Sequence, residues 1–229
     1  MKNLLIPMAG KSTRFPNVRP KWMLSHPWSN RFMGIESITG LNLDFFDKIY
    51  FICLEEHQNQ YQFLKGFEIE LEKIKIKNKS KIIFLKTETQ SQSETIYRAI
   101  KENNINGFVF IKDSDNYFEV KVDNINNQIC YFDLNECDHI NARNKSYLDL
   151  DTNNIILNIV EKKIISSNFS VGGYAFSGAN EFCNTYEKIK DIGGECYVSP
   201  RIYEIQIEDY WYKFIISCIF GTVDNSRKP

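Results

Sequence analysis

No run of about 18 consecutive apolar residues occurs in this chain, so no helix is expected to cross a bilayer. The charged start, long apolar region and small-residue cleavage site of a signal peptide are also missing, because Met1 and Lys2 lead straight into a strand-like segment. A basic excess is lacking: 28 Lys plus Arg stand against 29 Asp plus Glu, a net charge of −1. General nucleic-acid binders usually carry such an excess, so neither nucleic acid nor membrane is an expected partner, although a small basic pocket is compatible with the balance. The six cysteines form no C-x-x-C pair, which argues against zinc. Several sit in apolar runs, as Cys53 does in Tyr50–Leu54, and the reading is reduced, mostly buried thiols in a cytoplasmic protein. His26, His57 and His139 are far apart and join no Ser-His-Asp or Cys-His arrangement. G-x-x-x-x-G-K-[ST] and G-x-G-x-x-G are both missing, which excludes a P-loop and the usual dinucleotide fingerprint.

What the chain does have is apolar patterning. Hydrophobic residues make up 43% and aromatics 14%, enough for a substantial core. Strand-like runs at Ile49–Leu54, Lys81–Leu85 and Phe108–Ile111 alternate with helical spacing over Gln58–Lys77 and Ser93–Glu102. This alternation predicts an α/β fold with a mainly parallel sheet flanked by helices. The second half reads less regularly: strands at Ile155–Val160, Val171–Phe176 and Phe214–Phe220, and helices at Ala179–Ile189 and Pro200–Ile207. Lys73–Lys81 reads as a solvated loop at a helix end, and no Gly/Ser/Pro-rich linker divides the chain, so residues 1–229 read as one domain.

Two segments carry chemistry. The apolar run Leu4-Leu5-Ile6-Pro7-Met8 breaks into Ala9-Gly10-Lys11-Ser12-Thr13-Arg14, with Arg19, Pro20 and Lys21 close behind. Ala9 and Gly10 allow close approach of a ligand to the backbone. Ser12 and Thr13 add hydroxyl donors, Arg14 can grip two phosphate oxygens in one plane, and Lys21 is a compact point charge. The same residues also suit an ordinary strand-to-helix turn with surface cations. In the second segment a buried strand, Phe108–Ile111, ends in Lys112-Asp113-Ser114-Asp115-Asn116. Strand ends border the ligand crevice of an open α/β sheet, and Asp113 and Asp115 offer hard oxygens for Mg²⁺. The alternative is a loop whose Asp and Asn residues cap turns. Trp22, Trp28 and Phe32 read as core or pocket wall, and Tyr210-Trp211-Tyr212 as a packing cluster.

Taken together, these segments resemble the sugar-phosphate nucleotidyltransferase family, with its GT-A-like fold. The family pattern is a strand, A-G-x-G-[ST]-R and a later P-K pair; here it stands as Ala9–Arg14 and Pro20-Lys21, with Ser12 in place of the second glycine. The resemblance implies a nucleotide-binding half of about residues 1–116 and an acceptor-binding half of about 117–224. It implies Arg14 and Lys21 as catalytic cations, and Ala9, Gly10, Ser12 and Thr13 around the phosphates. Thr89–Thr95 would be the base-recognition segment, with Gln92 and Ser93 reading the base. Asp115 would bind the metal, with Asp113 as helper. Glu161-Lys162 followed by Gly172-Gly173 resembles the acceptor site, Lys162 holding a phosphate and Gly173 letting the acceptor lie on the backbone, although Lys163 replaces the usual proline. Glu195 matches a later acceptor-side Glu. The second metal carboxylate usually precedes a G-T pair, but Cys218 and Ile219 stand there before Gly221-Thr222, which leaves Asp224 as its substitute.

Ile6–Gly10 with Arg19–Trp22 looks most like a branch found in capsule and surface-polysaccharide loci, which implies CTP as donor, Mg²⁺ as cofactor and a phosphorylated small molecule as acceptor. Three alternatives stand beside this reading: a sugar-1-phosphate nucleotidyltransferase with another NTP, a GT-A glycosyltransferase using Asp113-Ser114-Asp115 as its metal motif, and a non-catalytic nucleotide sensor.

Overall fold

The computed structural model describes residues 1–10, 18–138 and 141–190. Among them, β1 (Lys2–Pro7), β2 (Lys48–Leu54), β3 (Ser80–Leu85) and β4 (Phe108–Lys112) pair side by side in the order β3-β2-β1-β4, all parallel. The run that reads apolar in sequence is buried on both faces, as a central parallel strand requires: Leu4, Leu5 and Ile6 have no exposed surface. Alternate residues serve two cores. Leu5, Val109 and Ile111 pack with α4 (Gln92–Asn103) and α5 (Ala179–Ile189), where Ile96, Ala99, Ile100 and Phe182 meet them. Leu4, Ile6, Phe108 and Phe110 pack on the other face with α1 (Met33–Glu36), α2 (Glu55–Tyr61) and α3 (Leu64–Lys73).

Beyond β4 the sheet changes direction. β8 (Asn168–Phe176) lies antiparallel to β4, pairing Ile111 with Tyr174 and Lys112 with Gly173. β5 (Gln128–Asp133), β6 (Ser146–Leu150) and β7 (Ile156–Glu161) complete a mixed sheet, β5 and β6 each antiparallel to β8, and β6 to β7. The fold is therefore the mixed α/β sheet flanked by helices that the patterning predicts, with its parallel pairing confined to the first four strands. β5 and β6 are additions to the sequence reading. β5 follows the polar stretch Asp123–Asn127 and is bulged between Cys130 and Tyr131, and β6 is short and carries Asp149 just before its last residue.

The single helix expected over Gln58–Lys77 is two. Gln62 adopts φ 50°, a left-handed conformation that ends α2, and the Gln58 side chain then accepts the Leu64 N–H at 3.0 Å at the start of α3. The break lets Phe63 and Phe67 both reach the core. α4 begins at Ser91, whose hydroxyl accepts the Glu94 N–H at 3.1 Å while the Glu94 carboxylate accepts the Gln90 N–H at 2.7 Å, a capping arrangement that fixes where the helix starts. Among the described residues, Cys53, Cys130, Cys137 and Cys183 are free thiols, and burial pushes the Cys183 thiol up to about 11. No helix among them is long and apolar enough to cross a membrane. The readings at Pro200–Ile207, Tyr210–Tyr212 and Phe214–Phe220, and those of His139, Cys196 and Cys218, lie outside the described residues.

Candidate active site

Because β1 and β4 are adjacent and parallel, their carboxyl ends open side by side, and the chain leaving each borders the same crevice. A cleft of about 820 Å³ lies there, lined by Pro7, Met8 and Gly10 after β1, Lys21 and Trp22 from the next turn, Asp113–Asp115 after β4, and residues 88–92 and Thr95 around the start of α4. Ala9 is fully buried. Gly10 is exposed, with nothing among the described residues within 4 Å of where a Cβ would stand.

Lys21 opens a short 3₁₀ turn, Lys21–Met23, immediately after Pro20. Its root is fixed by its neighbour. Trp22 is buried and meets Phe63 and Phe67 edge-on, with centroids 4.8 and 5.9 Å away. The Lys21 ammonium reaches across the cleft to Asp115, Nζ to Oδ2 3.1 Å, and both side chains remain partly open to solvent. The cation and the carboxylate singled out in sequence thus meet in one place.

Asp113 is held differently. Its Oδ1 accepts the Gln92 side-chain N–H at 2.6 Å, and its N–H donates to the Gly172 carbonyl at 2.9 Å. Gly172 has φ +81°, and a Cβ there would stand 2.1 Å from Asp113 Oδ2, so the carboxyl occupies the space a side chain would need. Burial pushes the Asp113 carboxyl up to about 6; Asp115 adds to the rise, while Lys112, the Gln92 hydrogen bond and Lys145 oppose it. Of the two carboxylates, Asp115 is the one presented to solvent, and Asp113 is packed into the wall.

The remaining candidates divide. Gln90, Ser91 and Gln92 line the cleft and Thr89 shares a 2.6 Å hydroxyl hydrogen bond with Thr95, but Ser93 is fully buried behind them. The helical turn that brings Gln92 forward sends the Ser93 side chain into the core, away from the cleft that Gln92 lines. Gly173 lies within β8 with its Cβ direction filled by Phe118 and Cys130, at 2.8 and 2.9 Å, and it is Gly172 that abuts an Asp. Glu161 ends β7 and accepts the Ser146 hydroxyl, while Lys162 follows at φ 57° with its N–H on the Lys145 carbonyl at 2.9 Å; neither lines the cleft. Lys11, Ser12, Thr13, Arg14, Glu195 and Asp224 lie outside the described residues. Among the described residues no group of three or more His, Cys, Asp or Glu is set to hold a metal by itself. Trp28, read as core or wall, is instead 84% exposed at the tip of the hairpin closed by the Ser25–Phe32 bridge.

Sequence reasoning missed Lys112 and Lys145. Lys112 ends a strand where a cation ordinarily points to water, yet it has no exposed surface. Lys145 sits in an unremarkable polar stretch, and only the folding of β6 beside β8 brings its charge to bear on Asp113.

No family model and no curated protein matches the chain. Solved structures do. A nucleoside-diphosphate-sugar pyrophosphorylase from Vibrio cholerae RC9 is similar over 90% of this chain and 87% of its own, with TM-score 0.69 and 18% identity. An inositol-1-phosphate CTP transferase from T. maritima is similar over 90% and 80%, with TM-score 0.64 and 13% identity. A UDP-glucose pyrophosphorylase complexed with UDP-glucose is similar over 90% and 86%, with TM-score 0.64 and 14% identity. The chain therefore has the fold seen in these nucleotidyltransferase structures.

Proposed function

We propose that the protein is a nucleotidyltransferase: an oxygen of a phosphorylated small-molecule acceptor attacks the α-phosphorus of a nucleoside triphosphate, the bond from that phosphorus to the bridging oxygen breaks, and pyrophosphate leaves. The observation that carries this reading is the Lys21–Asp115 pair, which puts one cation and one open carboxylate on facing sides of a cleft at the carboxyl ends of two parallel strands. The cleft suits a polyphosphate. Gly10 leaves room for close backbone approach, Lys21 supplies positive charge for the α-phosphate as negative charge develops, and the first turn of the twelve-residue α4 adds N–H donors at the positive end of its dipole. Arg14, four positions after Gly10 in the sequence, would hold the leaving pyrophosphate. Positioning and charge neutralisation supply most of what this reaction needs.

The residues present fit Mg²⁺ held jointly with nucleotide phosphates. Asp115 offers a solvent-facing hard oxygen donor and would be its protein ligand, with Asp113 beside it and Asp224 as a further carboxylate. When bound, the ion would supply charge neutralisation on the phosphates. The acceptor would lie on the side of β6–β8, where Lys162 would hold its phosphate with Glu161 beside it. Lys145, joined to Lys162 through the backbone, adds a second cation on that side.

For the nucleotide we infer CTP, and for the acceptor a phosphorylated metabolite of capsule or surface-polysaccharide precursor synthesis, phosphorylated glutamine being the first to try. This finer reading is supported by the likeness of Ile6–Gly10 and Arg19–Trp22 to that branch, and by the inositol-1-phosphate CTP transferase among the similar structures. The test is pyrophosphate release from each of the four NTPs against a panel of phosphorylated glutamine, sugar 1-phosphates and polyol phosphates. Release confined to CTP with one acceptor supports the full reading, and release with another NTP retains the reaction but replaces the nucleotide. No release with any pair, or transfer of sugar from a nucleotide-sugar without pyrophosphate, overturns it in favour of a sensor or a glycosyltransferase.

A further inference from the structure

Lys112 is the last residue of a strand that is buried throughout, on the face it shares with Phe108 and Phe110. An ammonium in such a place is costly unless its donors are met. Here all three can be: Lys112 Nζ donates to the Asp113 carbonyl at 2.9 Å, the Asn116 carbonyl at 3.0 Å and the Asn116 side-chain oxygen. The Phe118 ring covers the remaining side, with its centroid 4.4 Å from the nitrogen. Every acceptor is a neutral oxygen belonging to the 113–116 turn, so the charge is not kept there by an ion pair. A Met side chain of similar shape would fill the same space without the desolvation cost. What the ammonium contributes is the shape of the turn. Asn116 passes the constraint on by donating its side-chain N–H to the Val171 carbonyl, and the Asp113 N–H does the same to Gly172. Between these two anchors stands Asp115.

We propose that Lys112 is a positioning residue: by gathering the oxygens of residues 113 and 116 onto one ammonium it winds the turn that presents Asp115 to the cleft, and it thereby sets the affinity for a metal–nucleotide complex. The inference rests on the nucleotidyltransferase reading. The decisive variant is Lys112→Met, examined by Mn²⁺ electron paramagnetic resonance titration with CTP, by kcat and KM separately, and by amide hydrogen exchange at Asp113. Partners that orient a metal ligand typically govern affinity and activity by about 10–100-fold. The folded variant is expected to bind Mn²⁺ in the presence of CTP more weakly by that factor, and to lose kcat with KM for CTP raised. Exchange of the Asp113 amide, bonded to Gly172, should quicken. Wild-type Mn²⁺ affinity and kcat in folded Lys112→Met overturn the proposal. Should that variant fail to fold, Asn116→Leu removes one acceptor of the ammonium from the half-buried end of the turn and is expected to show the same pattern, and wild-type behaviour there overturns it equally. If the wild-type protein takes up no Mn²⁺ with any nucleotide, the reading of the whole site fails and the inference falls with it. If wild-type binding survives in both variants, the positioning role alone is removed.

Discussion

Lys21 Nζ lies 3.1 Å from Asp115 Oδ2, joining the turn after Pro20 to the turn after β4. The two residues are 94 positions apart in sequence and meet because β1 and β4 are neighbours in the sheet. Neither side chain is deeply buried, so their attraction adds little to folding, about 0–1 kcal/mol for a pair of this kind. They are opposed in charge, facing, and open to whatever enters the cleft.

Lys21→Ala and Asp115→Asn should each leave the folded protein almost as stable as before while reducing turnover by about 10²–10³, the effect of removing one electrostatic contact to the transition state. Steady-state pyrophosphate release beside a urea unfolding curve measures both quantities. Full activity in Asp115→Asn would refute its assignment as the metal-holding carboxylate.

Gly172→Ala should be destabilising. The new Cβ would stand 2.1 Å from Asp113 Oδ2 at a φ of +81°, so either the strand or the carboxyl must shift. Backbone strain of this kind costs about 1–3 kcal/mol, and activity should fall as well, because the displaced group adjoins Asp115. Denaturant midpoints report the first effect and turnover per folded molecule the second.

Gly66→Ala should act the other way. Gly66 is exposed within α3, and a Cβ there would meet only the Phe32 ring edge at 3.8 Å, an ordinary contact. Replacing glycine by alanine inside a helix is worth about 0.5–1 kcal/mol, so the unfolding midpoint should rise with turnover unchanged.

The raised Asp113 carboxyl makes stability depend on pH with a definite sign. Burial lifts it to about 6 from an ordinary value of 3.8. Between those values the native protein holds a proton that the unfolded chain has released. The stability Asp113 contributes is therefore complete below the lower value, is lost as the pH rises through about 6, and changes no further above it. Asp113→Asn should flatten that slope. Urea unfolding of both proteins across this range checks the difference.

Much of this arrangement is legible in the order of residues, for identifiable reasons. Leu4–Ile6 and Phe108–Ile111 are apolar on both faces, as a central strand requires, and small, cationic or acidic residues at the ends of such parallel strands border a crevice by topology. The break at Gln62 was hidden because a left-handed residue between two helices leaves the apolar spacing almost intact. β5 was hidden by its polar surroundings and β6 by its own acid. Lys112 escaped notice for a deeper reason. A lysine after four apolar residues looks like a strand reaching water, and nothing local reveals that Asn116 and Phe118 fold back over it. That Gly172 and not Gly173 abuts Asp113 likewise depends on a strand alignment, Lys112 opposite Gly173, that is set by partners far along the chain.

The anchoring of Trp22 among Phe63 and Phe67 has a consequence for how variants of this chain should be interpreted. The ammonium that serves the chemistry is one peptide bond from an indole wedged between helices, so its aim is inherited from packing on the far side of that ring. A conservative trimming of Phe63 or Phe67, remote from every polar group in the crevice, would let the indole settle and swing the cation with it. Such lesions would look like losses of chemistry in an assay and like mere cavities in a structure, and they would be both.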